Sequence, residues 1–163
     1  MREELQLGNA DLADPEIAAL LEQTGLAQKV GSLPLGADTP LGKLEPGSAD
    51  LSEGQWQRLA LARSFGRQAK LLVLDEPAAA LDALAESRIC STIRDIGARR
   101  CTTTLYVTHR LAAARSADEI IVMKDGRIIE QGTHAALLAG DSYYAQMFNT
   151  QRKWYLRRQV AEA

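Results

Sequence analysis

The stretch LLVLDEPAAALD, from Leu71 to Asp82, decides the fold. It opens with four aliphatic residues, a run too short for a helix and too apolar for a surface. Such a run predicts a strand covered on both faces, as parallel strands are. A helix with inward-facing isoleucines is predicted to follow, from about Ala83 to Ala98. Because apolar strands alternate with helices along the chain, the sequence predicts an α/β fold built on a parallel sheet.

Two adjacent acids, Asp75 and Glu76, follow the aliphatic run. In an open parallel sheet, ligands bind at the carboxyl ends of the strands. Neighbouring side chains of a strand point to opposite faces, so one carboxylate can hold a hydrated Mg²⁺ while the other orients a water for attack on a phosphoryl group. A solvated strand end, where acids are common, explains the same residues, and both interpretations stay open on this motif alone.

The segment LSEGQ, from Leu51 to Gln55, opens a helix predicted to end near Gly66. Ser52 and Gln55 have the spacing of a capping box, and Gly54 would let a ligand approach the backbone. Amide groups at a helix start, together with the positive end of the helix dipole, can bind an anion without a lysine. An ordinary N-cap is the alternative interpretation.

A second predicted strand, TTTLYVT, leads to His109, which we expect at the same sheet edge as Glu76. A single histidine is most often structural, and His134, just before AALL, is interpreted in that way. The segment EIIVMKDGRIIEQG predicts a hairpin, because Asp125-Gly126 lies between two β-rich runs and accepts the positive φ angles of a tight turn. Helices from about His134 and from Asp141 are predicted to finish the chain.

The N-terminal third has a helical and a loop-like part. The segment DPEIAALLEQTGL predicts a short amphipathic helix with Asp14 as its cap and Gly25 just past its end. Residues 31–50 are rich in Gly, Pro, Asp and Ser and predict an extended loop.

Composition sets outer limits on function. With 163 residues, of which 46% are hydrophobic and 25% charged, the chain has the size of one globular domain. The net charge of −2 gives no general attraction to nucleic acid or anionic lipid, so a polyanion must be bound by local geometry. Cys90 and Cys101 lack metal-ligand spacing and are interpreted as packing residues in a reducing compartment. No segment approaches the ~18 apolar residues of a membrane span.

The C-terminal tail FNTQRKWYLRRQV is basic, with aromatics interleaved. Its four cations are few for a membrane or nucleic-acid patch. We therefore predict a solvated helix end that packs through Trp154 and Leu156.

Four motifs, LSEGQWQRLALAR, LLVLDEP, ALD and VTHR, occur in this order and at these spacings. Together they closely resemble the exporter-type nucleotide-binding domain of ATP-binding cassette (ABC) transporters, over nearly the whole chain. LSEGQ resembles the signature motif, LLVLDEP the Walker B strand, AALD the D-loop and THR the switch histidine. The resemblance implies a P-loop NTPase-like parallel sheet with a helical subdomain, and ATP and Mg²⁺ as cofactors.

The resemblance implies a role for each catalytic residue. Asp75 would hold Mg²⁺ through water, Glu76 would be the general base that polarises the attacking water, and His109 would contact the γ-phosphate and Glu76. Glu45, in the loop that precedes the signature motif, is a candidate for coupling to the membrane domain.

The family pairs two nucleotide-binding domains head to tail. Ser52, Gly54 and Gln55 would therefore contact the ATP bound to the second domain, and Asp82 would lie at the dimer seam. Two features depart from the pattern: Glu53 stands where the family usually has a glycine, and Ala78 and Ala79 replace a usual Thr and Ser.

The phosphate loop GxxxxGK[ST] is not found in the sequence. The nearest match, GADTPLGKL at residues 36–44, has five residues between its glycines, a proline without an amide N–H, and no hydroxyl after the lysine. We expect that the chain is the C-terminal portion of a longer protein and that strand edges at 105–107 and 120–123 are left unpaired. By itself it is expected to bind ATP poorly and hydrolyse none.

The predicted divisions are residues 1–50, a helical subdomain and pre-signature loop; residues 51–140, the ATPase core; and residues 141–163, a C-terminal helix. The main functional prediction is that the chain is part of the ATP-hydrolysing subunit of an ABC exporter. We expect it at the cytoplasmic side of a membrane. Its expected partners are a second nucleotide-binding domain and a transmembrane domain, and no nucleic acid. Two alternatives stay open: a non-catalytic module that lends its signature helix to a partner's ATP site, and a soluble ABC ATPase of DNA repair or translation.

Overall fold

A computed structural model describes residues 1–43 and 46–161, with the backbone alone at residue 83 and residues 154–161. Glu45 lies outside the described residues, as do the side chains of Trp154 and Leu156. The chain forms two compact units, Met1–Val107 and Thr108–Ala163. The functional division at residues 50 and 140 stays a prediction.

The first unit contains five helices and two strands among its described residues. They are α1 (Arg2–Gln6), α2 (Asp14–Gln23), α3 (Ala27–Gly31), α4 (Glu53–Gly66), β1 (Leu71–Asp75), α5 (Ala83–Arg100) and β2 (Thr103–Val107). Between α3 and α4 the chain makes turns and bends, with a short 3₁₀ helix at Gly36–Asp38. The extended loop is thus confirmed for its described residues, with that helical turn added.

The core of this unit lies between its helices and one face of the strands. Helix α4 packs on α1 and α2, and its buried residues include Leu59 and Phe65. The predicted inward isoleucines of α5 are buried in the same apolar cluster as Leu72 and Leu74 of β1; they are Ile89, Ile93 and Ile96. A hydrogen bond from Gln57 to the Glu76 carbonyl places the first turns of α4 near the end of β1, where the two acids stand.

The start of α2 differs from the prediction. The helix begins at Asp14, so Ala13 is the N-cap residue, and its N–H donates to Glu16 Oε2 at 3.0 Å. Asp14 pairs with Arg2 instead of capping the helix. A carboxylate at the third helical position thus does the capping that we predicted for Asp14. Gly25, with φ +70°, ends the helix as predicted.

Strands β1 and β2 form a parallel pair in which Val73 lies opposite Leu105 and Asp75 opposite Val107. One face of the pair is turned toward the core, with the β1 side chains buried and the β2 side chains half-buried. The other, the apolar sheet face, consists of four exposed aliphatic side chains: Leu71, Val73, Leu105 and Val107. The prediction that β1 is covered on both faces is therefore wrong, because only the face turned toward the core meets apolar partners among the described residues.

The second unit contains α6 (Leu111–Ala114), β3 (Ile120–Lys124), β4 (Arg127–Gly132), α7 (His134–Ala139) and α8 (Tyr143–Ala161). The antiparallel hairpin of β3 and β4 is confirmed, and its turn has Asp125 at φ +50° and Gly126 at φ +73°. Within the described residues, β2 pairs only with β1 and β3 only with β4, as the sequence predicts for the two edges.

Helix α8 is anchored to this hairpin by one carboxylate. Glu130 accepts from the N–H groups of Tyr143 and Tyr144, at 2.6 and 2.9 Å. Tyr144 is fully buried, and its hydroxyl lies 2.9 Å from Nδ1 of His134, whose ring also packs on Phe148. The structural interpretation of His134 is therefore confirmed.

Both cysteines are free thiols. Cys90 is half-buried in α5, and burial raises the pKa of its thiol. Cys101 is exposed and ends α5 with φ +50°, so its interpretation as a packing residue is wrong. None of the helices in the described part of the chain combines the length and the hydrophobicity of a membrane span.

Candidate nucleotide site

The two acids at the end of β1 have different surroundings. Asp75 is exposed on the same side of the sheet as the apolar sheet face, whereas Glu76 is half-buried. The Glu76 N–H continues the ladder by donating to the Val107 carbonyl at 2.9 Å, and its φ of +44° then turns the chain away from the strand. The backbone thus separates the two carboxylates, as two distinct roles require.

Gln57 of α4 fixes this turn. Its Nε2 donates to the Glu76 carbonyl at 2.8 Å, and its Oε1 accepts from the Ala80 N–H at 3.1 Å. The Glu76 carbonyl also accepts from the Ala79 N–H at 3.1 Å. One carboxamide therefore ties the helix that begins at LSEGQ to the backbone on both sides of the turn.

The start of α4 is built as the sequence predicts. Ser52 is the N-cap: its Oγ accepts from the Gln55 N–H at 3.4 Å, and Gln55 Oε1 accepts from the Ser52 N–H at 3.0 Å. Among the described residues, the N–H groups of Glu53 and Gly54 have no hydrogen-bond acceptor. They stand at the positive end of a 14-residue helix, where anions are stabilised.

Gly54 has a second reason to be glycine. A Cβ at this position would lie 3.0 Å from the carbonyl oxygen of Ala80, a tight contact that would require the backbone of the loop to shift slightly. The close approach seen here is therefore to the loop after Glu76, within the same unit. This contact explains the residue without a ligand, whereas the sequence suggested a ligand alone.

Asp82 caps α5. Its Oδ1 accepts from the N–H groups of Ala85 and Leu84, at 2.9 and 3.0 Å, and these bonds lower the pKa of its carboxyl. The side chain is exposed. A structural role for Asp82 is therefore visible within this chain, and its place at a dimer seam stays a prediction.

His109 lies in the second unit, in the short segment between β2 and α6. Its side chain is exposed. Its carbonyl accepts from Nε2 of Gln151 in α8 at 2.9 Å, and Oε1 of the same glutamine accepts from the Leu111 N–H at 3.0 Å.

Six of the seven predicted site residues lie in the first unit: Ser52, Gly54, Gln55, Asp75, Glu76 and Asp82. Gln57 and Gly54 connect the LSEGQ helix to the loop that runs from Glu76 to Asp82. Gln57 and Gln151 were not predicted from the sequence. Both are half-buried residues of helices, and the sequence marks them only as glutamines, whose carboxamides can bond the backbone of a turn.

The residues present fit a nucleotide with its metal ion. Among the described residues there is no group of three or more His, Cys, Asp or Glu side chains that could enclose a metal. Mg²⁺ keeps several waters and takes one or two carboxylates together with substrate phosphates, so an exposed Asp75 at a strand end suits it. The uncommitted amides at the start of α4 suit a phosphate.

The positive φ of Glu76 leads to a prediction about stability. An L-residue in the left-handed region is strained by about 1 kcal/mol, and glycine is not. We therefore expect the free energy of unfolding of Glu76→Gly, measured by urea denaturation, to be about 1 kcal/mol higher than that of Glu76→Ala. Ser87 is exposed within α5 and serves as the control position. There the alanine variant should be more stable than the glycine variant, because alanine favours a helix. Equal stabilities of the two Glu76 variants would contradict the strain.

Known proteins are similar to this chain in amino-acid sequence and in backbone structure. The family model described as "ABC transporter" matches residues 5–79. The ATP-dependent lipid A-core flippase of Bordetella avium is 43% identical over 145 residues, which cover 89% of this chain and 23% of that protein. The glutathione/L-cysteine transport system ATP-binding/permease protein CydD of Escherichia coli is 40% identical over 147 residues, which cover 90% of this chain and 24% of that protein.

A solved structure agrees with these relatives. A bacterial Atm1-family ABC exporter with ATP bound superposes with a TM-score of 0.78 at 35% identity, over 91% of this chain and 25% of that one. The chain therefore spans about a quarter of the length of the proteins it matches. Since its motifs, its relatives and its backbone agree, the chain belongs to the ABC transporter family, with the P-loop NTPase-like α/β fold of an exporter-type nucleotide-binding domain.

Proposed function

We propose that the chain forms part of the ATP-hydrolysing component of an ABC exporter and helps couple ATP hydrolysis to transport across a membrane. The observation that carries the proposal is the turn at Glu76, which Gln57 ties to the helix that begins at the signature motif. The same contact links the residue proposed to activate water to the residues proposed to meet a nucleotide. Relatives named as a flippase and as an ATP-binding/permease protein support the transport role.

In this proposal, ATP and Mg²⁺ are the cofactors, and the bound metal ion neutralises charge on the phosphates. The Asp75 carboxylate holds the hydrated ion, and the Glu76 carboxylate accepts a proton from the attacking water. His109 donates to the γ-phosphate. All three assignments come from the family resemblance, with the exposure of Asp75 and His109 in support.

The proposed partners are a second nucleotide-binding domain and a transmembrane domain, which would place the chain at the cytoplasmic side of a membrane. Ser52, Gly54 and Gln55 would face the nucleotide held by the second domain. The two amides without acceptors at the start of α4 support this assignment.

A chimera tests the proposal. The matched region of the Bordetella avium relative is replaced with residues 1–163, so that the relative's preceding segment joins this chain. We expect Mg²⁺-dependent ATP hydrolysis by the purified chimera and none by the 163-residue chain alone. A folded chimera that binds ATP but does not hydrolyse it would contradict the proposal.

A further inference from the structure

Gln151 in α8 makes two hydrogen bonds to the backbone around His109. Its Nε2 donates to the His109 carbonyl at 2.9 Å, and its Oε1 accepts from the Leu111 N–H at 3.0 Å. A carboxamide has a donor and an acceptor side by side, like a peptide group, so it can pair with a short extended segment as a neighbouring strand would. The three residues from His109 to Leu111 are held at both ends by one side chain.

The helix that carries Gln151 is well fixed within its unit. Glu130 binds the first amides of α8, and the buried Tyr144 ring anchors the first turn against His134. Helix α8 also packs on α6, which begins at Leu111. A side chain on such a rigid element holds its partner more closely than a loop residue can.

The held segment determines the direction in which the His109 side chain leaves the backbone. A second bond, from the Arg110 N–H to Thr108 Oγ1 at 2.9 Å, restrains the same stretch from the other side. The point from which the imidazole extends is therefore set by a backbone segment that Gln151 holds.

We propose that Gln151 is a positioning residue that aims His109 for catalysis and so makes α8 part of the active-site machinery. The inference rests on the proposed function, because the aim of His109 matters only if the histidine meets a phosphate. Gln151 touches neither substrate nor metal in this proposal and acts through the histidine backbone.

The first experiment uses the 163-residue chain. Gln151→Met keeps the length of the side chain but removes both hydrogen bonds. Exchange of the Leu111 amide hydrogen, followed by NMR, should become about tenfold faster or more. The control is Gln146→Met, the same change at an exposed position of the same helix, which should leave that exchange rate as it is. An unchanged rate in Gln151→Met would overturn the inference.

The second experiment uses the chimera. A misplaced catalytic group lowers kcat, so Gln151→Met should reduce kcat by about 10-fold to 100-fold while the KM for ATP changes little. In a His109→Ala background the same change should have almost no further effect, because a residue that acts through His109 has nothing left to position. Additive effects of the two changes, or a normal kcat in Gln151→Met, would overturn the inference.

The proposed function and the positioning role of Gln151 are contradicted by different results. A wild-type chimera without ATPase activity contradicts the proposed function, and the positioning role with it. An active chimera that is indifferent to Gln151→Met contradicts the positioning role alone.

Discussion

Replacing Glu76 with glutamine in the chimera is expected to lower kcat for ATP hydrolysis by about 10² to 10⁴-fold, the usual contribution of a general base. Glutamine has nearly the shape of glutamate but cannot accept the proton of the attacking water. The backbone contacts of residue 76 involve its N–H and carbonyl groups and are kept in the variant. The measurement is steady-state phosphate release at saturating ATP, together with ATP affinity, which should not weaken.

The matched control is Glu22→Gln, the same change at an exposed position of α2. Its kcat should equal that of the unmodified chimera. If Glu76→Gln kept most of the activity, the water would be activated elsewhere, and the acids at the end of β1 would be a solvated strand end, as the alternative interpretation has it.

Leu59→Ala should lower the free energy of unfolding of the chain by about 2–5 kcal/mol. Leu59 is only 2% exposed and belongs to the apolar cluster in which α4 meets α1 and α2. The change removes transfer free energy and leaves a cavity that rigid helices cannot fill. Chemical denaturation followed by circular dichroism measures the loss, with the slope of the transition unchanged.

Leu84→Ala is the matched control for this prediction. Leu84 also stands in a helix but is 77% exposed, so the same substitution should change the free energy of unfolding by no more than about 0.5 kcal/mol. Equal losses at the two positions would mean that α4 is not the centre of the core in solution.

Local patterns predicted most of the fold. The capping box at Ser52, the inward isoleucines of α5 and the Asp125-Gly126 turn are set by residues close in sequence, and all three are confirmed. The cap of α2 was predicted wrongly, because Asp14 and Glu16 both suit a helix start and the choice depends on Arg2, which draws Asp14 away.

The contacts that organise the site could not be predicted in the same way. Gln57 meets residues 19 and 23 positions further along, and Gln151 meets residues 42 and 40 positions before it. No periodicity in the sequence marks a carboxamide that pairs with a distant turn. The candidate acids were found because their neighbours in sequence form a motif, whereas the residues that hold them were found only from the folded backbone.

The apolar sheet face affects the tendency of the chain to self-associate in concentrated solution. Its four aliphatic side chains are between 48% and 57% exposed. Full burial of an exposed aliphatic side chain is worth about 1.5–3 kcal/mol, so roughly half of that gain per side chain is open to any surface that meets the face, another copy included. Strand edges beside the face can extend such contacts. Concentrated solutions of the chain should therefore become turbid on storage, and a polar residue in place of Val73 should keep them clear.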